Sequence, residues 1–215
     1  MIYLKNDMNA ELIHTISNRN ILPNNIYRIE GLTSFKTQNI LAELARNKDV
    51  LEIGSLYGAT TLALSYYAKE VTTIDNWSDI EILPIKNNIK IKKTVINKTY
   101  DIFKNNIKSI DNIKLIVGDI FSKKIWSKLR LRKFELIFYD GPHNVKDIIQ
   151  FINLYSFLFK KDTILIFDDY NFDAVQKGIK YGFETINIEI EKSIKIETEG
   201  ESKYEIWNGI AVFQF

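Results

Sequence analysis

The sequence predicts an α/β protein with a doubly wound, mainly parallel sheet of seven strands that closes in an antiparallel C-terminal hairpin. Three observations predict it. Short apolar runs at 49–53, 70–74, 113–117, 134–139 and 163–167 read as strands buried on both faces. Stretches of helical periodicity at 58–68, 97–108, 144–159 and 173–181 separate or follow them, the arrangement of a parallel sheet. Residues 184–191 and 204–215 then alternate apolar and polar positions, joined by the polar segment E-K-S-I-K-I-E-T-E-G-E-S-K.

Ahead of the sheet, residues 8–20 read as a short helix with Leu12, Ile13 and Ile16 on one face, broken by Pro23 and two asparagines. Ser34 is placed to cap a second helix running to about Asn47, with Ile40, Leu41, Leu44 and Ala45 as its buried side. No repeat or linker divides the chain, so residues 1–215 read as one domain. Within it, residues 1–47 form helices flanking the site and 48–215 form the core. The irregular stretch 76–97, carrying Lys86, Lys90, Lys92 and Lys93, reads as either a substrate lid or a solvated insertion.

Composition excludes several classes of function. With no cysteine there is no disulfide, no thiolate catalysis and no cysteine-ligated zinc, which fits a reducing cytoplasm. The net charge of +2 gives no global reason to expect nucleic acid as a partner. The N-terminus carries charges where a signal peptide needs an apolar core, and no apolar run approaches the ~20 residues of a membrane helix.

The segment V-L-E-I-G-S-L-Y-G-A-T-T, residues 50–61, reads as buried strand, tight turn and helix start. Gly54 and Gly58 let a ligand approach bare backbone, and the helix-start N–H groups offer donors. An adenosine-type cofactor is the expectation. Ser55 belongs to the same turn. Asp75 ends the next strand about twenty residues after the first glycine, where a carboxylate can accept bonds from both ribose hydroxyls. Asn76 and Trp77 follow it, Trp77 as an aromatic that could stack on adenine or simply fill the core. Gly118-Asp119-Ile120 ends the third strand, with Asp119 placed for the adenine amino group and Ile120 against the ring. The glycine spacing G-x-x-x-G departs from the dinucleotide fingerprint G-x-G-x-x-G. Glu52 would repel a pyrophosphate but could orient a cationic or zwitterionic ligand.

Further along, F-E-L-I-F-Y-D-G-P-H-N ends a strand at Asp140 with His143 three residues on, and T-I-L-I-F-D-D-Y-N ends the next at Asp168 and Asp169. Adjoining strand ends would gather three carboxylates, whose mutual repulsion a hard divalent cation relieves. Oxygen ligands without cysteine suit magnesium, calcium or manganese. Helix caps and turn acids are the structural alternative for each of them.

The succession E-x-G-x-x-x-G, then a strand-end acid, then G-D resembles the class I S-adenosylmethionine-dependent methyltransferases, from about Glu30 to Phe215. The resemblance implies a Rossmann-like core and S-adenosylmethionine as cofactor. D-G-x-H followed by a strand ending in D-D-Y resembles, more narrowly, the metal-dependent macrocin- and novobiocin-type O-methyltransferases, with catechol O-methyltransferase more distant. It implies Mg2+ on Asp140, Asp168 and Asp169, a general base at His143 with Lys146 as fallback, and Gly31 and Thr33 of Glu30-Gly31-Leu32-Thr33 beside the cofactor. A small-molecule or sugar hydroxyl as acceptor and a homodimer are its further implications. Alternatives are a metal-independent methyltransferase with another acceptor, a binding domain without turnover, and a nicotinamide dehydrogenase, which the glycine spacing disfavours.

Overall fold

A computed structural model describes residues 9–77, 96–198 and 204–215. The expectations for the first eight residues, for the lysines of the 76–97 stretch and for 199–203 lie outside the described residues.

Val50, Leu51 and Ile53 are fully or almost fully buried, as a strand covered on both faces requires. They form β1 (Asp49–Ile53), the third strand of a seven-stranded sheet. β2 (Glu70–Asp75) and β3 (Ile113–Val117) lie to one side, and β4 (Leu136–Tyr139) and β5 (Ile164–Phe167) to the other, all parallel. The register sets Ile53 beside Ile74 and Tyr139, so the strands end together. Winding reverses between β1 and β4, the place where open α/β sheets form a crevice. β6 (Lys192–Ile196) and β7 (Ile210–Gln214) complete the order β3-β2-β1-β4-β5-β7-β6, with β7 antiparallel to both its neighbours.

Strand alternation divides the core in two. Leu51, Ile53, Ile137, Tyr139, Leu165 and Phe167 face α6 (Lys123–Leu129), α7 (Val145–Tyr155) and α8 (Asp173–Glu184). Val50, Val71, Leu136, Phe138 and Ile166 face α1 (Ala10–Ser17), α3 (Phe35–Leu44) and α4 (Ala59–Ser65). Leu22 and Ile26, on and just before the short α2 (Asn24–Tyr27), pack with Ala42, Leu62 and Ala63. α5 (Ile96–Ile107) leads into β3. Among the described residues no helix is long and apolar enough to cross a membrane.

Ser34 caps α3 as expected, its hydroxyl accepting from the Thr37 amide. Three elements differ from expectation. Pro23 and the asparagines open α2 instead of only ending a helix. α6 sits where the sequence pattern predicts no helix; its apolar content is little more than Ile125, Trp126 and Leu129, and Ser122 caps it. The first hairpin strand lies at 192–196, inside the segment read as a polar connector, while α8 runs on to Glu184.

Candidate active site

The aligned ends of the parallel strands open on a cavity of about 770 Å³, within the range of small-molecule sites. Gly54, Ser55, Asp75, Asn76, Trp77, Asp119, Ile120, Asp140, His143 and Asp169 all line it, as do Gly31 and Thr33 from the segment before α3. Of the residues expected at the site, Glu52, Gly58 and Asp168 do not line it.

The turn after β1 owes its glycines to the protein's own packing. Gly54 has φ +84°, and a Cβ there would overlap the backbone carbonyl of Asp140. Gly58 has φ +91°, caps α4 and stands against the Phe103 ring. Both need the left-handed backbone that glycine adopts without strain. Their missing side chains allow the close packing of β1 on β4 and of α4 on α5; Gly54 also lines the cavity, whereas Gly58, expected to let a ligand approach, does not.

Asp75 is engaged from within. Its Oδ2 accepts from the Ser55 amide at 2.9 Å and the Leu56 amide at 3.0 Å, and its Oδ1 from the Trp77 amide at 2.8 Å. Two amides of the turn are therefore paired within the protein. Trp77 packs on Tyr100 and Phe103, and its Nε1 donates to the Leu56 carbonyl at 2.9 Å. Only 5% of it is exposed, so the ring is chiefly a brace between the turn and α5. Asp119 is exposed at the wall, with Oδ1 accepting from the Phe121 amide, and Ile120 is buried beside it.

Glu52 is the clearest correction. By strand alternation it shares the Val50 face and points under α4, away from the cavity. There Thr60, Thr61 and Thr73 donate their hydroxyls to its carboxylate at 2.6, 2.5 and 2.7 Å. Burial pushes its pKa up to about 7, against the opposing pull of the three hydroxyls. It cannot touch a ligand in the cavity.

At the β4–β5 end the loop after Asp140 folds back, with the Tyr139 hydroxyl donating to the Pro142 carbonyl at 2.9 Å. This brings His143 Nε2 to 3.1 Å from Asp169 Oδ2 and 3.5 Å from Asp140 Oδ1. It is close to both carboxylates but aligned for a hydrogen bond with neither. Burial alone would lower the His143 pKa; Asp140 and Asp169 outweigh it and hold it above the ordinary value. Ligand atoms of Asp140, His143 and Asp169 all lie within 4.8 Å of one another. Asp168 stands outside that group, and His143 takes the place expected for it. The reason is again alternation. Asp169, with φ +55°, turns into the cavity, whereas Asp168 continues the Ile166 face and is buried. Its Oδ1 has no partner. Burial, then the charges of Asp140 and Asp169, raise its pKa well above the carboxylate range. Lys146, the fallback base, is exposed on the first turn of α7 and does not line the cavity.

Sequence reasoning missed Phe172, Trp207 and Asn208, which complete the wall. Asn208 Nδ2 donates to Asp169 Oδ1 at 2.7 Å and so fixes that carboxylate. A signal existed: Asn208-Gly209 is a turn dipeptide just before β7, and an antiparallel strand starts where its parallel neighbour ends.

A family profile described as a methyltransferase domain matches residues 51–170, from β1 through Tyr170. No curated protein matches the sequence. Solved structures share the fold. An S-adenosylhomocysteine-bound methyltransferase from Podospora anserina is 16% identical, with 100% of this chain and 98% of that chain covered and a TM-score of 0.60. A Bacillus cereus O-methyltransferase in complex with S-adenosylhomocysteine is 15% identical, with 100% and 94% covered and a TM-score of 0.55. A candidate S-adenosylmethionine-dependent methyltransferase from Streptococcus mutans is 15% identical at a TM-score of 0.59; 86% of this chain is covered, and it spans only 50% of that chain. The chain thus belongs to the methyltransferase domain family and carries the class I S-adenosylmethionine-dependent methyltransferase fold.

Proposed function

We propose that this protein transfers a methyl group from S-adenosylmethionine to a hydroxyl of a small molecule or sugar with the help of a divalent cation, in the manner of the macrocin- and novobiocin-type O-methyltransferases. One observation carries the reading. Asp140, His143 and Asp169 converge at the wall of the same cavity that the glycine turn lines.

The residues present fit both groups. For the cofactor, the cavity is large enough, Asp119 stands exposed at its rim, and the buried hydroxyls of Thr33 and Ser55 have no partner in the protein. For the cation, the donors are carboxylate oxygens, and the orphaned Oδ1 of buried Asp168 is a cost that a positive charge relieves. Asp140 and Asp169 would hold magnesium, with the charge of buried Asp168 close behind them. Bound there, the ion supplies Lewis acidity that lowers the pKa of a hydroxyl.

The chain's own residues do the rest. His143 Nε2 accepts the hydroxyl proton as the oxygen attacks, and the neighbouring carboxylates stabilise the imidazolium that results. Asn208 keeps Asp169 from rotating away. The turn braced by Asp75 and Trp77 fixes the cofactor end, so that methyl and oxygen meet in line. A second reading, metal-independent transfer, takes its support from the 3.1 Å separation of His143 Nε2 and Asp169 Oδ2, which puts a base next to a carboxylate without a cation.

Calorimetry with S-adenosylhomocysteine and methyl transfer to a panel of hydroxylated compounds test the proposal. Saturable binding is expected, with turnover lost in chelator, restored by Mg2+ and abolished by Asp169→Asn. Full turnover in chelator would establish the metal-independent reading, and failure to bind S-adenosylhomocysteine would end both.

A further inference from the structure

Among the described residues, seven buried side-chain nitrogen or oxygen atoms have no hydrogen-bond partner, and four belong to residues lining the cavity: Thr33, Ser55, His143 and Trp207. A buried donor left unmet is costly, so such a concentration marks atoms that a ligand completes. Thr33 and Ser55 lie at the cofactor turn, and His143 belongs to the carboxylate group. Trp207 Nε1 belongs to neither. We propose that the Trp207 indole N–H holds the methyl acceptor by an oxygen other than the one methylated, and that the acceptor is an uncharged ring carrying a further oxygen besides the methylated hydroxyl. The proposal rests on the methyltransferase reading above and specifies what that site accepts.

The indole N–H is a donor only, so just an acceptor atom can satisfy it. Its position is fixed. Trp207 precedes Asn208, which donates to Asp169, and the Asn171 amide donates to the Asn208 carbonyl at 2.7 Å. Trp207 is therefore anchored next to the residue that holds Asp169, and it lines the same cavity as Asp140 and Asp169. Phe172, 44% exposed, stands edge-on to His143 with ring centres 6.0 Å apart, and gives this end an apolar face for a ring. Charge narrows the class further. Asp75, Asp119, Asp140 and Asp169 line the cavity, and among its described lining residues there is no lysine or arginine. His143 is the one basic side chain among those described lining residues, so a carboxylate or phosphate placed away from it would meet only like charge.

The test follows the three indole N–H resonances of the 15N-labelled full chain, which has three tryptophans. Trp→Phe substitution at each position in turn assigns them. With S-adenosylhomocysteine and Mg2+ present, pyrogallol and methyl α-D-galactopyranoside are titrated against their carboxylate counterparts, gallate and methyl α-D-galacturonate. The Trp207 resonance should move downfield with at least one neutral probe and with neither anion; the probe that moves it separates a phenolic from a glycosidic acceptor. The Trp77 signal, already donating to Leu56, should stay. W207F should raise KM for the responding probe about tenfold, lower kcat less, and leave S-adenosylhomocysteine affinity unchanged. No shift from either neutral probe, an equal response to the anions, or an unchanged KM overturns the proposal. If W207F does not fold, substitutions at Trp77 and Trp126 assign the third signal by elimination and the wild-type titration decides. Loss of S-adenosylhomocysteine binding by the wild type is a separate result, and it overturns the methyltransferase reading itself.

Discussion

Glu52 has no solvent exposure and sits among three threonine hydroxyls. It looks in sequence like a ligand-facing acid, because it lies two residues before Gly54 in a cofactor-type turn. Its neighbours across the strands decide otherwise: Thr73 on β2 and Thr60 and Thr61 on α4 make a polar socket inside the core. Its folded-state pKa of about 7 lies above its ordinary 4.5. The folded protein therefore binds more protons than the unfolded chain between those values. The stabilisation is fully present below pH 4.5 and lost as pH rises through 7, a total of about 3 kcal/mol. Glu52→Gln keeps the shape and removes the titration. Urea unfolding of both proteins at pH 5 and pH 8 should show wild-type stability falling by that order relative to the variant. A constant difference would mean that Glu52 keeps one charge state throughout.

At the scale of elements, the two turn glycines should not be equal. Alanine at Gly54 incurs left-handed strain and an overlap with the Asp140 carbonyl, which is backbone and paired through its amide to Ile53. Alanine at Gly58 incurs the same strain but meets the Phe103 ring at 3.1 Å, and a side chain can give way. Gly54→Ala should cost more than Gly58→Ala, by roughly 1–3 kcal/mol, and should displace Asp140 as well. Chemical denaturation ranks the two, and equal losses would contradict the argument. The five parallel strands and the helices of the sheet other than α6 were legible because each is a separate apolar run with turn residues around it. The hairpin was less so. Ile186, Ile188, Ile190, Ile194 and Ile196 form one alternation across eleven residues. The first three pack on the core without pairing, and only 192–196 meet β7. Periodicity shows which side chains turn inward but not which half of the run finds a hydrogen-bonding partner. The site followed the same rule. Strand-end residues were legible, while Phe172, Trp207 and Asn208 enter through loops whose positions only the fold defines. The exchange of His143 for Asp168 needed the φ of Asp169.

Across the whole molecule, the sheet directs its charge to one end. Asp75, Asp119, Asp140, Asp168 and Asp169 all stand at the carboxyl ends of parallel strands, although the chain as a whole is slightly positive at +2. Such an end opposes its own folding until cations arrive, as binding sites often do. Asp168 shows this most clearly: it is buried, unpartnered at Oδ1, and has a raised pKa. Its stabilising protonation is present at acid pH and lost as pH rises, so at neutral pH and above it weakens the ligand-free protein. Asp168→Asn removes that charge at nearly constant volume. Without ligand, the variant should melt higher than wild type at pH 8, by about 2–4 °C for each kcal/mol recovered, and the gain should shrink as pH falls. Added Mg2+ should raise the wild-type melting temperature, because an ion that binds only the folded state stabilises it by mass action. It should do so weakly or not at all in the variant. Differential scanning calorimetry with and without Mg2+ measures both effects. A variant that melts lower without ligand would make Asp168 a structural acid, and one with the full Mg2+ response would move the ion away from this strand end. The two effects must have opposite signs if the destabilised end of the sheet is the end that binds.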